Sequence, residues 1–120
     1  MENSQKLSPT ELKTMQILWD KGALPAKEVS LEAAARYGWN KNTTYTILKH
    51  LVEKGHVQRE EPGFLCRPLT GRQQIQRSET RGLIDRLFEG SPVSFFSAFF
   101  ENEDLSPEQL EEIRKLIDNH

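Results

Sequence analysis

The chain has 120 residues and a formal net charge of −2, and this length corresponds to one domain or two very small ones. With 36% hydrophobic and 28% charged residues it resembles an ordinary globular protein, and no apolar run approaches the ~20 residues of a membrane-spanning helix. Residues 1–5 lack a secretory-signal pattern, and the single Cys66 excludes an internal disulfide and a multi-cysteine zinc site. We therefore expect a cytoplasmic protein with no membrane contact, bound metal or other cofactor.

Two helices are predicted in the first 38 residues. The first follows Ser8, which with Glu11 has the spacing of a capping box, and it ends at Gly22. The second covers Ala26 to about Tyr37 and is closed by Gly38. Both helices have the glycine at their end that commonly stops a helix in globular proteins.

A third helix is predicted from about Lys41 to Lys54, with Asn40 as its N-cap. Its core-facing side follows the i, i+3, i+4, i+7 pattern through Thr44, Ile47, Leu48 and Leu51. Two alternating stretches, 56–61 and 64–69, then flank Pro62-Gly63, which predicts a small β-hairpin.

The order of three helices and a hairpin is that of a winged helix-turn-helix, in which the third helix and the hairpin "wing" contact DNA. We predict such a DNA-binding domain for residues 1–70, in a chain that is mostly α with this small β-hairpin. Residues 1–70 carry ten lysines and arginines against eight acidic residues, whereas residues 71–120 carry six against ten. This asymmetry fits the division but does not decide it.

Three more helices are predicted after the hairpin. Thr70 is predicted to cap one that reaches about Phe88, and a short helix covers about residues 92–100. A capping box that begins at Ser106 opens the last helix, which ends at about Asp118.

Five of the six phenylalanines lie between residues 88 and 100. Adjacent pairs on one short helix point to different sides, and about fifty residues are too few to bury them all. We therefore predict that residues 71–120 form a helical dimerisation domain of a homodimer, through Leu83, Leu87, Phe88, Phe95, Phe96, Phe99, Phe100, Ile113, Leu116 and Ile117. The alternative is that the phenylalanines pack onto the first domain of the same chain.

The polar side of the third helix is the candidate DNA surface. Its first turns predict contacts to base edges from Asn42, Thr43, Tyr45 and Thr46. Contacts to the DNA backbone are predicted for Lys41, Lys49, His50, Arg59 and Arg67. An ordinary solvated helix face explains the same pattern, and the acidic Glu60 and Glu61 beside the wing turn would repel phosphates.

Several runs in this order resemble the bacterial penicillinase-repressor and methicillin-resistance-repressor family. They include Met15-Gln16-Ile17-Leu18-Trp19, Trp39-Asn40-Lys41-Asn42-Thr43-Thr44, Leu51-Val52-Glu53-Lys54-Gly55, Gly90-Ser91 and Glu103-Asp104-Leu105-Ser106. The resemblance implies a homodimeric winged-helix repressor on an inverted-repeat operator of double-stranded DNA. It also implies release from DNA by a regulatory protease, after a membrane-bound sensor responds to a β-lactam antibiotic.

The chain departs from this family at specific positions. The scissile Asn-Phe bond of the family corresponds here to Ala98-Phe99, which is the candidate cleavage site. Asn42 and Tyr45 stand where antibiotic-resistance members have basic residues, which implies a different operator. The cysteine cluster of the related copper-responsive repressors is missing, because the chain ends at His120 with no cysteine nearby.

Two other functions fit the same residues. A winged helix can bind a protein instead of DNA, and the net charge of −2 favours that alternative. A DNA-binding sensor could also be switched by a small ligand at the dimer interface. We expect no enzyme, because the sequence has no HExxH, paired-cysteine or glycine-rich phosphate motif around its three histidines.

Overall fold

The computed structural model describes residues 6–120. Helices and strands follow one another in this part of the chain as α1 (Pro9–Lys21), β1 (Leu24–Pro25), α2 (Ala26–Tyr37), α3 (Lys41–Lys54), β2 (Val57–Glu60), β3 (Leu65–Pro68), α4 (Arg72–Leu87), α5 (Pro92–Asn102) and α6 (Pro107–Asp118). The predicted fold class is confirmed. A first compact unit ends at Gln76, and a second unit begins at Arg77. Within residues 6–120, each helix is too short or too polar to cross a membrane.

Capping interactions set the ends of the helices. Ser8 Oγ accepts a hydrogen bond from the Glu11 amide (3.2 Å), and the Glu11 carboxylate accepts one from the Ser8 amide (2.8 Å). At the start of α3, Asn40 Oδ1 accepts a hydrogen bond from the Thr43 amide (2.8 Å). Gly55 ends α3 with a φ of +86°, a conformation that glycine adopts without strain. These predicted boundaries are confirmed.

Three short strands form one antiparallel sheet in the order β1-β3-β2. The pair β2 and β3 is the predicted hairpin, in which Val57 lies opposite Pro68, and both strands are shorter than predicted. Strand β1, whose Leu24 lies opposite Cys66, was not predicted from the sequence. A two-residue strand is too short to show an alternating pattern, so only its pairing with β3 identifies it.

The core of the first unit lies where α1, α2, α3 and the sheet meet. All four residues of the predicted inward side of α3 are buried, namely Thr44, Ile47, Leu48 and Leu51. The three aliphatic residues belong to one cluster with buried side chains of the neighbouring elements, among them Met15, Ile17, Leu18, Val29 and Val57. Burial of each large aliphatic side chain contributes about 1.5–3 kcal/mol relative to exposure. This packing holds the opposite side of α3 outward.

The start of α4 corrects one prediction. Thr70 does not cap the helix, which begins at Arg72. Instead, the Thr70 carbonyl accepts a hydrogen bond from Trp19 Nε1 (2.8 Å), and its hydroxyl bonds to Nδ1 of the buried His56 (2.8 Å). Arg72 Nη2 donates to Asp20 Oδ1 (2.7 Å). These contacts attach the first turn of α4 to α1, which a local capping signal cannot reveal.

Cys66 lies in β3 with no exposed surface, and burial raises the pKa of its thiol to about 11. We expect the folded protein to resist alkylation by iodoacetamide at about pH 8, because only the thiolate reacts and this thiol is buried and protonated. Mass spectrometry should find full modification only after unfolding in guanidinium chloride. Rapid modification of the native protein would contradict the burial of β3.

The second unit contains the end of α4 together with α5 and α6. Ser106 forms the predicted capping box at the start of α6. Helix α5 extends beyond its predicted end to Asn102, whose Nδ2 donates to the Ala98 carbonyl (2.7 Å). Phe88 and Phe95 pack edge to face with ring centroids 5.5 Å apart. Even so, neither α5 nor α6, both fully within the described residues, contains a buried residue.

Candidate nucleic-acid interface

The side of α3 that faces away from the core is polar and exposed. Exposed side chains on this helix include six of the predicted DNA contacts, namely Lys41, Asn42, Thr43, Thr46, Lys49 and His50. Because Asn40 caps the helix, Asn42 and Thr43 lie in its first turn, the part of a recognition helix that reaches base edges. The helix is 14 residues long, and the DNA major groove admits an α-helix.

Tyr45 is the one predicted base contact that is half-buried. Its ring packs edge to face against Phe64 of the wing, with centroids 6.0 Å apart, and Lys41 Nζ lies 5.6 Å from its centroid. The guanidinium carbon of Arg59 in turn lies 3.8 Å from the Phe64 ring centroid. A row of alternating cationic and aromatic side chains therefore connects α3 to the wing.

The two acidic residues of the wing are paired with its two arginines. Arg67 donates to Glu60 through Nε (2.9 Å) and Nη2 (3.2 Å), and Arg59 Nε donates to Glu61 Oε2. The hydrogen bond from Arg67 holds the pKa of Glu60 below its usual value, and that from Arg59 does the same for Glu61. These four side chains therefore carry no net charge together.

The tip of the wing holds Phe64 in place. Gly63 has a φ of +90°, and Phe64 follows with a φ of +50°, a region that non-glycine residues rarely occupy. The Phe64 amide donates to Glu61 Oε1 (3.3 Å), so the same carboxylate binds both the backbone of the tip and Arg59. This turn directs the ring of Phe64 towards Tyr45 on α3.

The described residues contain no group of three or more His, Cys, Asp or Glu side chains that could hold a metal ion. His56 is buried beside Thr70, and Cys66 is buried in β3. Neither therefore belongs to the exposed surface formed by α3 and the wing.

A second surface lies within the second unit, between α5 and α6. A groove of about 850 Å³ is lined by seven apolar side chains together with Ser97 and His120; the seven are Val93, Phe96, Phe99, Phe100, Ile113, Leu116 and Ile117. Six of the ten residues predicted to form the dimer contact line it. Of the other four, Phe95 packs against Phe88, whereas Leu87 is exposed and Leu83 is half-buried on α4.

The candidate cleavage site lies inside a regular helix. Ala98 and Phe99 are in the second half of α5, and the Phe99 carbonyl accepts a hydrogen bond from the Glu103 amide (2.9 Å). Phe99 also lines the groove of the second unit. A protease that reads an extended peptide would have to unwind this part of α5.

The fold and the sequence both match known repressors. The model of one protein family, the penicillinase repressors, matches residues 7–119. The chain belongs to the penicillinase repressor family. Among its relatives in this family are the penicillinase repressor of Bacillus licheniformis, 25% identical over all of this chain and 95% of that protein, and the methicillin resistance regulatory protein MecI of Mammaliicoccus sciuri, 27% identical over 98% of each chain.

A solved structure connects the family to the architecture of the first unit. The solution structure of the DNA-binding domain of the repressor BlaI superposes with a TM-score of 0.54 at 25% sequence identity. The match covers 58% of this chain and 88% of that domain. This match confirms the winged-helix architecture that was predicted from the sequence.

Two features of the surface were missed in the sequence analysis. Phe64 was assigned only to a strand, although it connects Tyr45 of α3 to Arg59 of the wing. Glu60 was expected only to repel phosphate, although it binds Arg67 across the hairpin. The one available signal was the presence of Arg59, Glu60 and Glu61 before the turn and of Arg67 after it, which is compatible with several pairings.

Proposed function

We propose that the chain is a transcriptional repressor that binds an inverted-repeat operator in double-stranded DNA as a homodimer. The observation that carries this proposal is the exposed polar side of α3, held outward by its buried side and flanked by the wing. Asn42, Thr43 and Thr46 are proposed to read base edges, with Tyr45 at the margin next to the wing. Lys41, Lys49 and His50 are proposed to contact phosphates, joined by Arg59 and Arg67 from the wing.

The groove of the second unit supports a homodimer. Phe96 is 50% exposed, Leu116 is 72% exposed and Ile117 is 68% exposed, all beside one another in the groove. Each such side chain left in water forgoes about 1.5–3 kcal/mol of burial. A second copy of the same groove offers equally apolar side chains, and twofold symmetry of the protein would match an inverted repeat in the DNA.

Regulated proteolysis is the proposed route of release. A cut at Ala98-Phe99 would separate Phe99, Phe100 and the whole of α6 from the first half of α5. The groove would then lose side chains from both of its walls, and the two copies would separate. The proposed dimer would thus be converted into two weakly binding halves without any change in α3.

Selection of bound fragments from a random-sequence DNA pool tests the proposed function. We expect recovery of an inverted repeat whose half-sites lie a whole number of helical turns apart. The affinity of the recovered fragment should fall steeply as salt rises, since phosphate contacts release counterions. Failure to recover any shared sequence, with no salt-dependent binding, would favour a protein-binding winged helix.

Two substitutions on α3 should separate reading of bases from attachment to the backbone. We expect Thr43→Ala to lower affinity for the selected fragment by about 1–3 kcal/mol and to relax preference at one position of the half-site. Lys49→Ala should weaken binding to all sequences alike and reduce the salt slope by about 1. Fluorescence anisotropy with selected and mixed-sequence duplexes measures both effects. If neither variant differs from the parent, the DNA-facing side of α3 is wrongly assigned.

The groove also favours a second candidate, a repressor switched by a small apolar ligand. Its volume of about 850 Å³ falls in the range of ligand sites. An apolar fluorescent dye that binds the free protein and is displaced when operator DNA is added would support this candidate. Dye binding only to monomeric variants would instead indicate that a second copy fills the groove.

A further inference from the structure

Both arginines of the wing form ion pairs with glutamates of the same hairpin. Arg67 makes two hydrogen bonds to the two oxygens of Glu60, at 2.9 and 3.2 Å. This bidentate geometry is also the one in which a guanidinium group binds a DNA phosphate. The Glu60 carboxylate therefore occupies two of the five donors that Arg67 could offer to the DNA backbone.

The second arginine is held in a similar way. The guanidinium carbon of Arg59 lies 3.8 Å from the Phe64 ring centroid, and Arg59 Nε donates to Glu61. Glu61 is itself held by the Phe64 amide (3.3 Å). Both Arg59 and Glu61 therefore contact Phe64, the residue of the wing tip whose ring packs against Tyr45 on α3.

Stability of the fold is a weak reason for these contacts. The side chains of Arg59 and Arg67 are 46% and 49% exposed, and ion pairs with this exposure contribute little to folding free energy. Their larger effect falls on a competing anion, since Glu60 takes two donors of Arg67 and neutralises the charge that would attract a phosphate.

We propose that Glu60 and Glu61 are specificity-determining residues that compete with DNA phosphates for Arg67 and Arg59. The wing then adds little to the binding of an arbitrary duplex, and affinity depends on the base contacts made by α3. This inference rests on the proposed DNA-binding function and deepens it. It assigns the two carboxylates a role that lowers binding to DNA of the wrong sequence.

A double-mutant cycle tests the competition between Glu60 and phosphate. The variants are Glu60→Gln, Arg67→Gln and the double variant, with Glu112→Gln on the exposed surface of α6 as a control that removes the same charge. Binding to a mixed-sequence duplex is measured by anisotropy over a range of salt concentrations. We expect Glu60→Gln to raise affinity about twofold to fivefold and to steepen the salt slope by about 0.9, the value for one additional phosphate contact.

Comparing Glu60→Gln in the parent with Glu60→Gln in the Arg67→Gln variant distinguishes two mechanisms. Glu60 either competes with phosphate for Arg67 or simply repels DNA through its charge. If Glu60 acts through Arg67, the gain from Glu60→Gln disappears once Arg67 is glutamine. An equal gain in both backgrounds, or a gain no larger than that of Glu112→Gln, would overturn the proposal. The corresponding cycle with Glu61→Gln and Arg59→Gln should behave in the same way.

Specificity provides the second readout. Glu60→Gln should raise affinity for the mixed-sequence duplex more than for the fragment selected from random DNA, so the ratio of the two affinities falls. An unchanged ratio would contradict a role in specificity. These outcomes require a parent protein that binds DNA, so loss of the proposed function would be recognised separately, by a parent without salt-dependent binding.

Discussion

Phe96→Asp and Phe99→Asp are each expected to convert the proposed dimer into monomers and to lower affinity for the proposed operator by about 10²–10⁴-fold. Both residues line the apolar groove of the second unit. An aspartate carboxylate buried there without a partner would cost several kcal/mol, which exceeds what the remaining contacts of one side chain can offset. Sedimentation velocity measures the change in mass, and anisotropy with the selected fragment measures the loss of affinity.

The large effect on DNA comes from the connection between two half-site readers. When one α3 is bound, the second is held at high effective concentration near its own half-site, and monomers lose this advantage. Binding to a single half-site should therefore remain nearly unchanged in the variants. Leu31→Asp, at an exposed leucine on α2, is the matched control and should leave the mass unaltered. A dimer that persists in both phenylalanine variants would show that association occurs elsewhere.

Lys54→Met is expected to lower the free energy of unfolding by about 2–3 kcal/mol. Lys54 Nζ donates to Glu11 Oε1 at 2.7 Å, and the Glu11 side chain is only 5% exposed. The substitution keeps the aliphatic packing of the side chain but leaves the carboxylate buried without its cation. We expect a smaller loss of stability than for a fully buried ion pair because the Lys54 side chain is 28% exposed. Urea unfolding followed by circular dichroism measures it.

Lys49→Met on the same helix is the control, since Lys49 is exposed, and it should change stability by less than about 0.5 kcal/mol. The double variant Glu11→Gln/Lys54→Met should recover most of the loss. Glutamine preserves the capping box with Ser8 and carries no charge to be buried. If the double variant is as unstable as Lys54→Met alone, the loss does not come from the unpaired carboxylate.

The same pair predicts how stability depends on pH. Burial by itself would raise the pKa of Glu11, but the hydrogen bonds from Lys54 and from the Ser8 amide outweigh it and lower the pKa below 4.5. The unfolded state therefore binds a proton more readily, and this contribution is fully present above about pH 4.5 and lost as pH falls through the lower folded pKa. Glu11→Gln should accordingly flatten the decline of stability in acid.

Much of the first unit could be predicted because its signals are local. The capping box at Ser8, the Asn40 cap and the buried stripe of α3 each involve side chains within one or two helical turns. The same periodicity placed Asn42, Thr43 and Thr46 on the outer side of α3, where they are exposed. The family assignment is confirmed for the same reason, since many local signals occur in a consistent order along the chain.

Other features depended on the packing of distant segments. Trp19 donates to the Thr70 carbonyl 51 residues away, and α4 begins at Arg72 without the predicted Thr70 cap. Lys54 meets Glu11 across 43 residues, and Leu24 joins the sheet beside Cys66. Such contacts form only after the helices have packed, so no short-range sequence pattern predicts them.

The order of elements and the outward face of α3 follow from hydrophobic periodicity and capping, which act over a few residues and can be predicted from the sequence. The partners of charged and aromatic side chains could not be predicted in this way. Arg67 could have faced solvent, phosphate or a carboxylate; in the hairpin it lies opposite Gln58 and pairs with Glu60, two residues further along β2. The contacts that a long side chain can make with its different neighbours differ little in free energy. Only the folded structure determines which of these neighbours is within reach.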